Sequence, residues 1–198
     1  ADGRLAAGGL PRTKVFWIGL AGSSCYRIPT ILRSSSGTLL AFAEQRFETC
    51  SDSGHANLVL RRSADDGETW EPRDGVITLA RWSGAGLERL SNINPVEVAL
   101  RSDGAADGPR GAGIQAVKAS GILVHYDTRT NPSPTVRGRN VQVWSFDDGL
   151  TWTDRADVTA TFAPADYAGC MPGPSAGLVV EGVVYFTCHM LRGALLYW

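Results

Sequence analysis

The sequence has no apolar run approaching the roughly 18 residues that cross a bilayer, which argues against a transmembrane helix within it. Lysine is almost missing: of 19 Lys plus Arg residues, only Lys14 and Lys118 are lysines. Excess charge of either sign is missing as well. The formal net charge is −1, so the composition asks for neither nucleic acid nor an anionic membrane surface as partner. The four cysteines, Cys25, Cys50, Cys170 and Cys188, form no CxxC pair. Metal binding is not expected at that spacing; buried free thiols are the default reading and disulfides the alternative. No Asn-x-Ser/Thr acceptor occurs, because Asn131 is followed by Pro132. Ala1 to Leu10 has no long apolar stretch and does not read as a signal peptide. Cytoplasm, lysosome and secretion therefore all stay open as compartments. No window repeats apolar residues at helical spacing.

What is present is short and strand-like. The 198 residues are 43% apolar and 20% charged, enough for a globular domain with a core. Twenty-three glycines and ten prolines punctuate brief apolar runs. Thr38–Ala43, Asn57–Leu60, Gly121–Tyr126 and Gly182–Thr187 are the clearest, and they predict a mostly β chain. The sequence also repeats itself. Ser63-Ala-Asp-Asp-Gly-Glu-Thr-Trp70 and Ser145-Phe-Asp-Asp-Gly-Leu-Thr-Trp152 agree at six of eight positions, each after a strand. Asp-Gly supplies the positive φ of a hairpin turn. The first Asp can accept turn amides, with Ser and Thr closing the loop, and the Trp is an apolar anchor beneath it. Gly37 opens a strand 26 residues before Ser63, and Gly121 opens another 24 residues before Ser145. Gly182 opens a third, whose octet would fall beyond Trp198. Repeated hairpin units of this kind stack radially in propellers of about 4–8 four-stranded blades. Two and a half units do not close a ring, so the natural protein is expected to be longer.

The octets resemble the Asp box of sialidases, where that box is structural and remote from the active site. Upstream, Tyr26-Arg-Ile-Pro29 resembles the Tyr/Phe-Arg-Ile-Pro motif of exo-sialidases. Gly37-Thr-Leu-Leu-Ala-Phe-Ala-Glu-Gln-Arg46 and the Asp52–Arg62 segment follow in the family's order. Asn92-Ile-Asn-Pro95 is similar to a substrate-pocket segment, and Pro172–Leu178 to a Gly/Pro-rich strand lead-in. The resemblance runs from Phe16 to Trp198. It implies an all-β, six-bladed β-propeller of sialidase type, with the first two to three blades in residues 16–198 and an N-terminal extension in 1–15. It also implies a retaining exo-α-sialidase that removes terminal sialic acids from glycoproteins, glycolipids and oligosaccharides. The alternatives are a trans-sialidase, or a non-catalytic propeller that binds glycans or proteins. Sialylated glycans are the implied partner, with no metal and no organic cofactor.

The resemblance assigns roles residue by residue. A sialic acid carries a carboxylate on its anomeric carbon, and a guanidinium binds such a group through charge-assisted hydrogen bonds. Arg27 matches the first of the family's three carboxylate-clamping arginines, and Pro29 stiffens the strand that presents it. Asp52 matches the general acid/base, a role that requires a carboxyl group able to change protonation state during turnover; Glu48 is its rival. Arg46 matches a pocket arginine beside that acid. Asn92 and Asn94 line the pocket or cap a turn. His55 supports the acid loop. Sialidases use a tyrosine nucleophile, polarised by a glutamate in the family, and no position here matches either by order. Nor does any match the second and third clamp arginines. Tyr167, Tyr185 and Tyr197 read as strand or pocket aromatics. This chain alone is expected to be inactive.

Overall fold

The computed structural model describes residues 12–52, 54–82, 88–100, 119–130, 138–162, 171–173, 175–190 and 193–197. The expected all-β, antiparallel character is what it shows. The described strands form three four-stranded sheets. The first has the order β1 (Cys25–Arg33), β2 (Leu39–Arg46), β3 (Ala56–Ser63), β4 (Ile77–Ala80). The second repeats that order with β5 (Glu88–Leu100), β6 (Ala119–Thr130), β7 (Arg139–Ser145) and β8 (Ala156–Asp157). The third joins β10 (Leu178–Val180), β11 (Val183–Met190) and β12 (Gly193–Tyr197), with the short β9 (Met171–Pro172) also on β11. A single helical turn, α1 (Thr159–Phe162), follows β8.

The sheets stack in chain order because β5, β6 and β7 of the middle one carry apolar side chains on both faces. Successive side chains in a strand point to opposite sides. On β6, Ile122, Val124 and Tyr126 enter one core with Leu40, Phe42, Leu58 and Leu60 of the first sheet. The intervening Leu123 enters a second core with Phe186 and Cys188 of the third. On β5 an irregular register between Ser91 and Asn94, with Asn92 at φ 60, inserts one extra residue. Such a bulge shifts the alternation by one. Leu90 and Ile93 therefore face the first sheet, whereas Val96 and Val98 face the third.

The two octets close equivalent corners, β3 to β4 and β7 to β8, with the same bonds. Ser63 Oγ donates to Asp65 Oδ1 at 2.7 Å and accepts from Gly67 N at 2.8 Å. Ser145 does the same with Asp147 and Gly149, both at 2.8 Å. Thr69 Oγ1 donates to Asp65 Oδ2 at 2.6 Å, and Thr151 Oγ1 to Asp147 Oδ2 at 2.5 Å. The Asp-Gly pairs take positive φ in both copies. These bonds, led by the Thr69 hydroxyl, push the Asp65 carboxyl down to about 2. At Asp147 burial opposes ionisation, yet the bonds from Thr151 and Ser145 leave its carboxyl below the usual range. Trp70 is buried, and Trp152 packs edge-on against Phe42 of the first sheet at 6.3 Å.

Two expectations need correction. Gly121 does not open its strand but lies inside β6, which begins at Ala119. The cysteines are not free thiols. Cys25 and Cys50 form a disulfide with Cα atoms 5.4 Å apart, Cys188 is also disulfide-bonded, and no cysteine is free among the described residues. Cys170 lies outside those residues. The spacing hid the first bond because it crosses a hairpin: the β1–β2 register sets Cys25 opposite Arg46, four residues before Cys50.

Candidate active site

Along β2 the face turned toward the second sheet begins apolar and ends charged. Leu40 and Phe42 lie in the shared core, and two steps further on the same side come Glu44 and Arg46. Both are fully buried. A buried charge has to be paired to be tolerated, and here the pairing crosses sheets. Glu44 Oε2 accepts from Arg46 Nε at 3.1 Å and also from Arg46 Nη2. Arg89, at the start of β5, brings Nη2 to 3.6 Å from the same carboxylate. Glu44 Oε1 accepts the backbone N–H of Asn92 at 3.1 Å, on the β5 bulge. One carboxylate thus ties the first sheet to the second at the end of their common core.

Arg27 reaches this place through a backbone irregularity. Arg27 pairs with Glu44 and Thr30 with Phe42, so β1 carries one residue more than β2 between those pairs. Ile28 sits there at φ 52, a conformation β-branched residues avoid. Pro29 follows, and its missing N–H costs the ladder nothing at a bulge. In an unbroken strand Arg27 and Thr30 would face opposite sides. The bulge puts both on the side of Glu44 and Phe42. Strain of this kind gathers at functional sites.

Asp52 completes the cluster from the loop after β2. Its Oδ1 accepts from Arg27 Nη1 at 2.9 Å and from Arg46 Nη1 at 3.0 Å, and Arg89 Nη2 lies 3.8 Å away. The Asp52 side chain is 71% exposed while that of Arg46 is not exposed at all. A buried cation therefore presents an accessible carboxylate to solvent. Hydrogen bonding from Arg46 is the main force holding the Asp52 carboxyl below its usual range; slight burial opposes it, and the charges of Arg27, Arg46 and Arg89 add to the lowering. Among the described contacts, three guanidiniums, those of Arg27, Arg46 and Arg89, gather around the carboxylates of Glu44 and Asp52.

Arg27, Arg46 and Asp52 thus meet at one end of the first sheet. The octet Ser63–Trp70 begins at the other end of β3, about 23 Å from Ala56 at the usual strand rise. Glu48 does not join the cluster; its Oε1 lies 2.9 Å from Nδ1 of His55, whose ring stacks on Trp82 at 3.8 Å. Asn94 is 1% exposed and donates its side-chain amide to the Asn92 carbonyl at 2.9 Å. Asn92 donates its own to Asp127 Oδ1 at 2.7 Å. The described bonds of both amides hold the β5 bulge, in keeping with the turn-capping alternative for these residues. Tyr185 lines an apolar cavity of about 320 Å³ with Leu178, Val180 and Thr187 on the third sheet. Tyr167 lies outside the described residues. Sequence reasoning missed Glu44 and Arg89. Glu44 was readable as the i−2 neighbour of Arg46 on a strand; Arg89 belongs to no motif, and only sheet stacking brings it in. Among the described residues no group of three or more His, Cys, Asp or Glu side chains is arranged to hold a metal ion.

A stack of antiparallel sheets of this kind is shared with solved sialidases. The chain superposes on the Hadza microbial sialidase Hz136 with a TM-score of 0.66 at 20% identity, over 84% of this chain and 32% of that one. It superposes on the intramolecular trans-sialidase from Ruminococcus gnavus with a TM-score of 0.61 at 14% identity, over 89% of this chain and 58% of that one. In sequence it is 29% identical over 178 residues to an exo-alpha-sialidase of Aspergillus fumigatus, covering 79% of this chain and 39% of the relative. It is 23% identical over 161 residues to a sialidase of Paraclostridium sordellii, covering 79% and 37%. No family model matches the chain. In sequence and in fold the chain is thus similar to sialidases. It spans about two fifths of the length of the curated relatives it matches.

Proposed function

We propose that this chain supplies the acid/base and the first carboxylate-binding arginines of a retaining exo-α-sialidase. On this reading residues 16–198 are the first two to three blades of a six-bladed propeller, 1–15 precede them, and the remaining strands belong to a longer protein. The observation that carries the reading is the convergence of Arg27 and Arg46 on one oxygen of an exposed Asp52. The substrate is a terminal sialoside, whose carboxylate is a bidentate partner for Arg27.

The low pKa direction of Asp52 fits this role through exchange of partners. In the structure Asp52 occupies the guanidinium of Arg27. An incoming sialoside carboxylate takes that guanidinium and sets a second negative charge beside Asp52. Both changes favour the neutral acid. Asp52 then gives its proton to the glycosidic oxygen as the bond to the anomeric carbon breaks. A tyrosine from the rest of the propeller, passing its phenolic proton to the glutamate that polarises it, forms the new bond to that carbon. In the second half-reaction water attacks the same carbon, the bond to the tyrosine breaks as its oxygen recovers that proton, and Asp52 takes the proton of the water and is ready again. The similarity to an intramolecular trans-sialidase supports a second reading, in which a hydroxyl of the sugar itself replaces water in that step. The disulfide-bonded cysteines fit an oxidising compartment.

The experiment is sialic acid release from a fluorogenic α-sialoside by the full-length protein and by its Arg27→Ala variant. Release that the substitution abolishes supports the reading. Binding of sialoside without release would favour a non-catalytic propeller, and release of an anhydro sugar would favour the intramolecular transfer.

A further inference from the structure

The Cys25–Cys50 bond does little for the sheet that contains Cys25. That residue is already fixed by its ladder pairing with Arg46, and Tyr26 and Arg27 are paired to Gln45 and Glu44. What the bond fixes is the chain beyond β2. Phe47 to Asp52 leaves the sheet without entering another strand, and Thr49, Cys50, Ser51 and Asp52 are exposed. Asp52, two residues past Cys50, has no packing to hold it. The other anchors of this segment are polar. Arg46 Nη1 donates to the carbonyls of Cys50 at 2.7 Å and Ser51 at 2.6 Å. Arg27 Nη1 donates to the Cys50 carbonyl at 3.1 Å, and Ser24 Oγ donates to the Phe47 carbonyl. The two guanidiniums that hold Asp52 therefore also grip the main chain at Cys50, the point at which the disulfide ties it down.

We propose that Cys25 and Cys50 are positioning residues for Asp52: their disulfide holds the acid-bearing loop against Arg27 and Arg46. The part about acid catalysis rests on the sialidase reading above. The part about the loop does not. Opening the bond takes two electrons and two protons from a dithiol, which leaves as its own disulfide. Two thiols remain, and the loop loses its covalent tie to β1 while the hydrogen bonds from Arg27, Arg46 and Ser24 stay. Such a segment opens locally without unfolding the sheet.

The test uses the full-length protein, oxidised and after reduction by dithiothreitol, with Cys25→Ser/Cys50→Ser as a second form. Amide hydrogen exchange is followed over residues 47–52 and over β1–β3. Exchange in 47–52 should quicken about tenfold or more on reduction, with β1–β3 unchanged. Turnover of a natural sialoside, which needs the acid, should fall about tenfold or more. Turnover of an aryl sialoside with a good leaving group should fall much less. Unchanged exchange in the loop, or faster exchange spread through β1–β3, overturns the proposal. So does equal loss on both substrates. If the oxidised protein releases sialic acid from neither substrate, the sialidase reading fails, and the exchange measurement still decides whether the disulfide holds the loop.

Discussion

Replacing Glu44 by Gln removes one charge and almost no volume from the join between the first two sheets. The buried guanidinium of Arg46 and the nearly buried one of Arg89 then lose their shared counterion. Breaking a buried ion pair by neutralising one partner costs about 3–5 kcal/mol. The lower end applies here, because Arg46 keeps Asp52 and two main-chain carbonyls as acceptors. Gln can also still accept the Asn92 N–H that Glu44 accepts. With a urea m-value of about 3 kcal/mol/M, a loss near 3 kcal/mol moves the unfolding midpoint down by about 1 M. The assay is urea unfolding of the full-length protein followed by tryptophan fluorescence, with Glu48→Gln as control. Glu48 pairs with a half-buried His55 and is 60% exposed, so its replacement should change stability by no more than about 0.5 kcal/mol. A Glu44→Gln midpoint within the control's range would show that the carboxylate does not hold the sheets together.

Other consequences concern the octets and the second core. Gly67 and Gly149 occupy the same turn position at φ 88 and 86, but a Cβ at Gly149 would come within 2.5 Å of Leu40 Cδ2, whereas one at Gly67 meets nothing nearer than 3.6 Å. Thermal melts should therefore show Gly67→Ala costing about 1–2 kcal/mol for its backbone, and Gly149→Ala about 1–3 kcal/mol more for overpacking; equal costs would contradict the stacking of the second octet on the first sheet. His125 is buried against Phe186, and desolvation pushes its imidazole down to about 3. The folded form thus binds fewer protons than the unfolded one, so the stability tied to His125 is complete above about pH 6.5 and lost as pH falls toward 3. Its slope is about 1.4 kcal/mol per pH unit, and chemical unfolding of His125→Gln across that range should show a flatter decline. Asp65 acts lower, its contribution being lost only as pH falls from about 4 toward 2; Asp65→Asn should be less stable than the parent at pH 6 and lose less on going to pH 2.

The parts legible in the sequence are those whose determinants are local. Each octet closes on itself through Ser, Asp, Gly and Thr within eight residues, so its turn could be read without knowing what it packs on. Alternation along β2 would likewise have given Glu44 together with Arg46. What could not be read depends on register or on stacking. Arg27 faces Asp52 only because of a one-residue bulge at Ile28–Pro29, and periodicity does not reveal the side on which the extra residue falls. Cys25 meets Cys50 only once β1 and β2 are aligned. Arg89 arrives from another sheet, brought by a core that buries Leu90 beside it. Asn92 and Asn94 have the residue types of a polar pocket, yet their described bonds serve the β5 bulge.

The most direct test of the proposed chemistry is Asp52→Ala in the full-length protein, measured on two substrates. Loss of a general acid lowers turnover by about 10²–10⁴-fold where the leaving group needs a proton. The account expects kcat/KM for a natural sialyl-oligosaccharide to fall by that order, with an aryl sialoside that leaves without protonation losing less than about tenfold. Equal losses on the two, or natural-substrate turnover that survives the substitution, would contradict the assignment of Asp52 as the acid.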